Sequence, residues 1–253
     1  VNVAGSKAQE PASLVQMIDN LSPEAWYQSP GGRRTLLALA MAAGVPKGAR
    51  VLDVQCGIGS GSIDLAELYE AKVTAFDDYP PYLAFGRQQA AARGVGKRTT
   101  FQAVAGNEAA SVIPADSFDV VLGLGGGLSD TLPGGLAGGL AAAANWLVDD
   151  GTLILGDLVT PGPTSDLMRH VFGESLISEQ RYFSELENAG FDVILAFRSS
   201  SNDWDQMAET MQKLRERKLD LGTEDERQRQ KLTTAARSHP ELAYLNVAAR
   251  KAK

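Results

Sequence analysis

A chain of 253 residues, 44% of them hydrophobic, can bury one substantial core, and α/β folds of this length are commonly a single domain. Its net charge of −7 argues against a nucleic-acid partner, because a phosphate backbone calls for a basic face. Cys56, the only cysteine, excludes an internal disulfide, and no apolar run of about 18 residues is present to span a bilayer, so a soluble cytoplasmic protein is the expectation.

After a polar start, the spacing of Leu14, Met17, Ile18 and Leu21 predicts one short amphipathic helix. The segment Ser22 to Gly32 is rich in turn residues and holds the adjacent aromatics Trp26 and Tyr27, which suits either a surface loop pinned by Trp26 or a lid over a ligand. Residues 1–34 are therefore set apart as a helix and lid, and residues 35–253 as the main domain. Thr35 to Ala43 reads as a helix stopped by Gly44 and Pro46, since glycine favours the C-terminal cap and proline cannot continue a helix.

The stretch from Val51 to Ser62 organises the chain. The apolar run Val51-Leu52-Asp53-Val54 breaks into Gln55-Cys56-Gly57-Ile58-Gly59-Ser60-Gly61 and resumes as the helical pattern Ile63 to Leu68. A turn without Cβ atoms at the start of a helix lets backbone N–H groups reach a ligand, and a nucleotide-like one is the first expectation. A dinucleotide fingerprint, Gly-x-Gly-x-x-Gly, would place its third glycine at Ser62, and Asp53 puts negative charge where a pyrophosphate has no use for it. A cationic ligand does.

Here the stretch resembles motif I of the class I S-adenosylmethionine (SAM)-dependent methyltransferases, with Gln55 in place of the first glycine of that motif. The resemblance implies a doubly wound, mostly parallel seven-stranded Rossmann-like sheet with helices on both faces. It implies that Asp53 holds the methionine end of SAM, with Gln55, Cys56, Gly57 and Gly59 lying against the cofactor and Cys56 serving as packing rather than as a nucleophile. In small-molecule members a Pro-Gly-Gly segment often precedes the helix before motif I, as Pro30-Gly31-Gly32 does here.

The second strand, Lys72 to Phe76, ends at Asp77-Asp78, about 20 residues past the glycine turn, the spacing at which a carboxylate accepts hydrogen bonds from ribose hydroxyls. The family pattern selects Asp77, with Asp78 its stand-in. Tyr82 to Arg93 reads as a helix and Thr99 to Val104 as the third strand. After it, the resemblance places the adenine contact at Asn107, with Glu108 in reserve.

Phe118-Asp119 opens a fourth strand in the manner of many class I methyltransferases, and a loop follows from Gly123 to Asp130. In open α/β sheets ligands sit at this edge, so Gly123 is assigned to the cofactor and Asp130 to substrate. The fifth strand ends at Asp157, a further substrate candidate with Tyr27. Ala189-Gly190-Phe191 leads into a sixth strand, and Tyr244 to Lys251 closes the sheet. Residues 202–240 form a charged helical excursion, read as a solvated helix packing one apolar stripe, as a cap over the pocket or as a dimer contact.

If a hydroxyl or amine acceptor must lose a proton, His170 is the leading base and His239 the lesser one. The function implied is methyl transfer from SAM to a small-molecule O, N or C acceptor, leaving S-adenosylhomocysteine (SAH), with no metal. The alternatives are a protein of this fold that binds SAM or a metabolite without methylating it, and an NAD(P) oxidoreductase.

Overall fold

The computed structural model describes residues 27–172, 176–216 and 241–252. The helix expected around Leu14 to Leu21, Trp26, His239 and the second half of the excursion lie outside the described residues. In chain order the elements are α1 (Gly32–Ala42), β1 (Arg50–Val54), α2 (Ser60–Leu68), β2 (Lys72–Asp77), α3 (Pro80–Ala92), β3 (Thr99–Ala103), α4 (Gly106–Val112), β4 (Phe118–Leu124), α5 (Gly135–Trp146), β5 (Leu147–Thr160), α6 (Asp166–Phe172), β6 (Ile177–Ser178), α7 (Glu179–Asn188), β7 (Phe191–Arg198), α8 (Ser201–Glu216) and β8 (Ala243–Lys251).

The strands lie in the order β3-β2-β1-β4-β5-β8-β7. β8 runs antiparallel between β5 and β7, and the β3–β2, β2–β1, β1–β4 and β4–β5 pairs are parallel. The expected seven strands are all present. An eighth, the two-residue β6, pairs with Val159 and Thr160 of β5 beyond the point where β4 stops at Leu124 opposite Gly156.

Period-two burial divides the sheet between two cores. Leu52, Val121, Leu153, Leu155 and Val247 face α5 and α7, where Leu140, Trp146, Tyr182 and Leu186 pack on them. Val51, Val73, Leu122, Ile154 and Ala248 face α1, α2 and α3 through Leu36, Leu39, Ile63 and Leu83. Helices thus cover both faces, so the strand ends are where ligands can be reached.

A third cluster sits apart from both. Met168 of α6, Leu176, Trp204 and Met207 of α8, and Leu242 and Tyr244 at the start of β8 bury one another, with Leu158 and Phe172 against them. The start of the excursion is therefore packed, through Trp204 and Met207, over the end of β5 and the start of β8.

Candidate functional site

β1 and β2 are parallel neighbours, so their C-terminal ends bring Asp53 and Asp77 to the same edge, on either side of the glycine turn. Both are buried, Asp53 at 4% exposure and Asp77 at 6%. Asp53 accepts a hydrogen bond from Ser62 Oγ at 2.6 Å, in the first turn of α2. Burial pushes its carboxyl up to about 7; the Ser62 bond opposes this, and the Asp77 charge adds to it.

Asp77 ties the edge together. Its carboxylate accepts from Gly57 N at 2.9 Å and from Tyr79 N at 2.9 Å, so the tip of β2 holds the glycine turn and the start of α3. Asp78 is exposed. Of the pair, Asp77 alone is drawn into the edge, as the family pattern selects.

The turn is close-packed. Gly59 has φ +77°, and a Cβ there would lie 2.4 Å from the Phe101 ring, so β3 presses on the turn as only glycine allows. Cys56 is half-buried and its thiol is pushed up, first by burial and then by the charges of Asp53 and Asp77. A thiol so held is a packing group, not a nucleophile.

Gln55 stands out. It has φ +52°, the left-handed region, and its side-chain Oε1 is buried with no hydrogen-bond partner among the described residues. A non-glycine residue held left-handed costs about 1–2 kcal/mol, and a buried unpaired acceptor about 1–3 kcal/mol. Against these stands the chain entropy of glycine, about 0.5–1 kcal/mol. Gln55→Gly is expected to raise the unfolding free energy by about 1–2 kcal/mol. Urea denaturation checks this; an unchanged or lower midpoint would show that the side chain is satisfied in solution.

Residues 27–29 cross this edge. Tyr27 is buried and donates its hydroxyl to Asp64 at 2.7 Å, in a cluster where Arg33 and Arg93 also bind that carboxylate. Burial alone would raise Asp64, but its bonds from Arg33, Tyr27 and Arg93 hold it below the usual carboxylate value. Tyr27, expected to orient substrate, anchors the segment to α2 through this bond. Gln28 Nε2 donates to Tyr82 Oη at 3.2 Å, and a Cβ on Gly57 would lie 3.0 Å from Gln28 Oε1.

A second polar group occupies the ends of β4, β5 and β8. Asp157 is buried at 3% exposure and accepts from Ser129 Oγ at 2.5 Å and from Tyr182 Oη at 2.5 Å. Burial pushes its carboxyl up to about 6, the two hydroxyls opposing and the Asp130 charge assisting. Tyr244 pairs with Leu158 across the β5–β8 ladder, and its hydroxyl accepts from Gly125 N at 2.8 Å. Asp130 is exposed, on the same loop as Ser129. Tyr182, Ser129 and Tyr244 were not legible as site residues, because no motif marks them and only the sheet order brings them together.

The remaining expected site residues differ in exposure and packing. His170 is exposed on α6; with about 100° per residue, a position two from the buried Met168 points away from that core. At Gly123 a Cβ would meet Leu128 at 3.0 Å and Leu155 at 3.3 Å, so the position is close-packed. Asn107 and Glu108 are exposed in the first turn of α4, a helix the sequence did not announce. Among the described residues no three His, Cys, Asp or Glu side chains are grouped to hold a metal ion, and no helix is long and apolar enough to cross a membrane.

Asp53 and Asp157 make stability depend on pH. Each keeps its proton in the folded chain where the unfolded chain has ionised, so stability falls as pH rises from about 4 through about 6 to 7. Asp53→Asn and Asp157→Asn are each expected to flatten part of this fall, as read from melting midpoints at pH 5, 6 and 7. A wild-type midpoint that climbs over that range would contradict it.

The model of the family described as "Methyltransferase domain" matches residues 51–151. Phosphoethanolamine N-methyltransferase of Triticum aestivum is 25% identical over 174 residues, a match that takes in 67% of this chain and 33% of that relative. The chain spans about a third of the length of that curated relative. Among solved structures, a SAM-dependent methyltransferase from Geobacter sulfurreducens, crystallised with SAH, is 22% identical with a TM-score of 0.67, covering 90% of this chain and 95% of that one. The [4+2]-cyclase SpnF is 20% identical with a TM-score of 0.69, covering 87% and 80%. The methyltransferase-domain model thus spans residues 51–151, and the strand order β3-β2-β1-β4-β5-β8-β7, with β8 antiparallel among the described strands, gives the chain the Rossmann-like fold of the SAM-dependent methyltransferase structures it resembles.

Proposed function

We propose that this chain transfers a methyl group from SAM to an O, N or C atom of a small-molecule acceptor by in-line displacement. The observation that carries the reading is the pair of buried carboxylates, Asp53 and Asp77, at the tips of adjacent parallel strands around the glycine turn. The residues fit the donor. Asp53 is a buried acid with no cation acting on it among the described residues, which suits the ammonium of the methionine end. A carboxylate has about four acceptor sites, so Asp77 can hold the turn and a ribose hydroxyl together. SAM supplies a methyl group on a sulfonium, whose departure leaves neutral SAH.

What remains for the protein is mostly positioning. Holding acceptor and methyl carbon in near-attack geometry can contribute about 7–11 kcal/mol. In this reading residues 27–29 are the lid and exclude water. Asp157 replaces His170 as proton acceptor: a hydroxyl or amine acceptor at the strand ends gives up its proton to Asp157 along the Ser129 hydroxyl, and a carboxyl at about 6 is ionised at neutral pH.

A second reading keeps the fold and drops the chemistry. Gln55, left-handed and unpaired where the family pattern has glycine, favours a protein that binds SAM or a metabolite without methylating. Calorimetry with SAM, SAH and NAD separates the readings. Binding of SAM and SAH with methylation of some member of a broad amine and alcohol panel is the expected result. SAM binding with no turnover across the panel would favour the second reading, and binding of NAD alone would reject both.

A further inference from the structure

The proposed chemistry leaves one buried carboxylate unused. Asp64 lies in the second turn of α2 at 2% exposure, where an unpaired charge could not persist. Its Oδ2 accepts from Tyr27 Oη at 2.7 Å and from Arg33 Nε at 2.8 Å, and its Oδ1 from Arg33 Nη2 at 2.5 Å and Arg93 Nη2 at 2.7 Å. A carboxylate has about four acceptor sites, so none is left for a ligand. Two of the three partners come from one short segment. Tyr27 and Arg33 flank the bend at residues 29–32, closed by Gly32 N on the Ser29 carbonyl at 3.3 Å, and both reach the same oxygen. Between them, Gln28 lies across the glycine turn. Its Nε2 donates to Tyr82 Oη at 3.2 Å, and its Oε1 stands 3.0 Å from where a Cβ on Gly57 would be, while Asp77 holds the same glycine by its N–H.

We propose that Asp64 is a positioning residue for the donor site: it holds residues 27–33 so that Gln28 covers the glycine turn and slows the escape of a bound donor. This deepens the proposed methyl transfer and rests on it for the identity of the ligand. Asp64 acts through Tyr27 and Arg33. Tethering a short segment at both ends removes most of its freedom to lift, and hydrogen bonds to a buried carboxylate are strong and little screened by salt. A neutral side chain at this position could not balance two guanidinium groups. Arg93, at the C-terminal end of α3, supports Asp64 from outside the segment.

Hydrogen exchange on the free chain and the rate of SAH dissociation test this together. Asp64→Asn and Tyr27→Phe are each expected to speed exchange at residues 27–32 at least fivefold, with β8 unchanged, and to speed SAH dissociation at least fivefold. Gln28→Ala is expected to match them in SAH dissociation, and the double variant Tyr27→Phe with Gln28→Ala to be no faster than either single, because the anchor acts through Gln28. Arg93→Met removes a bond to the same carboxylate from outside the segment. It is expected to lower the melting midpoint yet leave both exchange at 27–32 and SAH dissociation within twofold, a split that a merely structural cluster would not show. Unchanged exchange in Tyr27→Phe, equal effects in Arg93→Met or additive effects in the double variant would overturn the proposal. Slower SAH dissociation in Tyr27→Phe would also do so, by making the segment an obstruction to the donor. Should Asp64→Asn fold poorly, Tyr27→Phe, which loses a single oxygen, decides. A wild-type chain that binds no SAH sinks the proposed donor, whereas SAH binding with unchanged exchange in Tyr27→Phe sinks the positioning role alone.

Discussion

Asp77→Ala is expected to weaken SAH binding about 100-fold, while Asp78→Ala changes it less than twofold. The removed carboxylate holds the Gly57 and Tyr79 N–H groups and, in the proposed complex, a ribose hydroxyl. A hydrogen bond to a charged group contributes about 1.5–3 kcal/mol. Losing the ribose bond and loosening the turn that cradles the ligand together account for about 2.8 kcal/mol, or two factors of ten at about 1.4 kcal/mol each. Because two backbone donors near a buried site are also left unpaired, melting is measured first, and binding is compared at a temperature where the variant is folded. Unchanged affinity in Asp77→Ala with a loss in Asp78→Ala would move the ribose to the exposed neighbour and overturn the reading of β2.

That the β2 acid could be singled out from spacing, and the β8 tyrosine could not, follows from what each depends on. Asp53, the glycine turn and Asp77 lie within one strand-turn-helix-strand unit, where the chain imposes both distance and direction. The fold was legible for the same reason: alternating apolar strands and helix stops give the order of elements, and right-handed crossovers leave few ways to stack them. Asp157, Ser129, Tyr182 and Tyr244 meet only because β8 inserts between β5 and β7 and the loop after β4 folds back, so no local pattern marks them. His170 shows the opposite case, a chemically suggestive residue whose exposure depends on which side of its helix buries Met168.

Two non-glycine residues take the left-handed region with different consequences. Asp150, at φ +59° ahead of Gly151, takes a left-handed position in β5 that a short polar side chain tolerates. Gln55, at φ +52°, is longer and leaves its Oε1 buried and unpaired. Both were visible as letters in the sequence, but only the backbone angle and the missing partner distinguish an accommodated substitution from a strained one.

SAH affinity is expected to rise about tenfold for each pH unit between 5 and about 7 and to level above it. Asp53 stands up to about 7, so below that the folded chain carries a neutral carboxyl where the ligand's ammonium needs a carboxylate. Binding must then expel the proton, and the ionised fraction sets the apparent affinity. Calorimetry at pH 5.5 in buffers of different ionisation enthalpy is expected to show release of about one proton per ligand bound. Asp53→Asn abolishes both the release and the slope, and lowers affinity at pH 8 because a buried ammonium then lacks its counter-charge. Asp157→Asn provides the control: its carboxyl also stands high, at about 6, but it lies with Ser129 and Tyr182 at the other polar group and is expected to leave the slope intact. A slope that survives Asp53→Asn and disappears in Asp157→Asn would place the cationic end of the ligand at β5. The burial that makes Asp53 costly to ionise in the free chain is what strengthens its attraction for a cation once water is excluded, so instability above pH 7 and tight binding there have one physical origin.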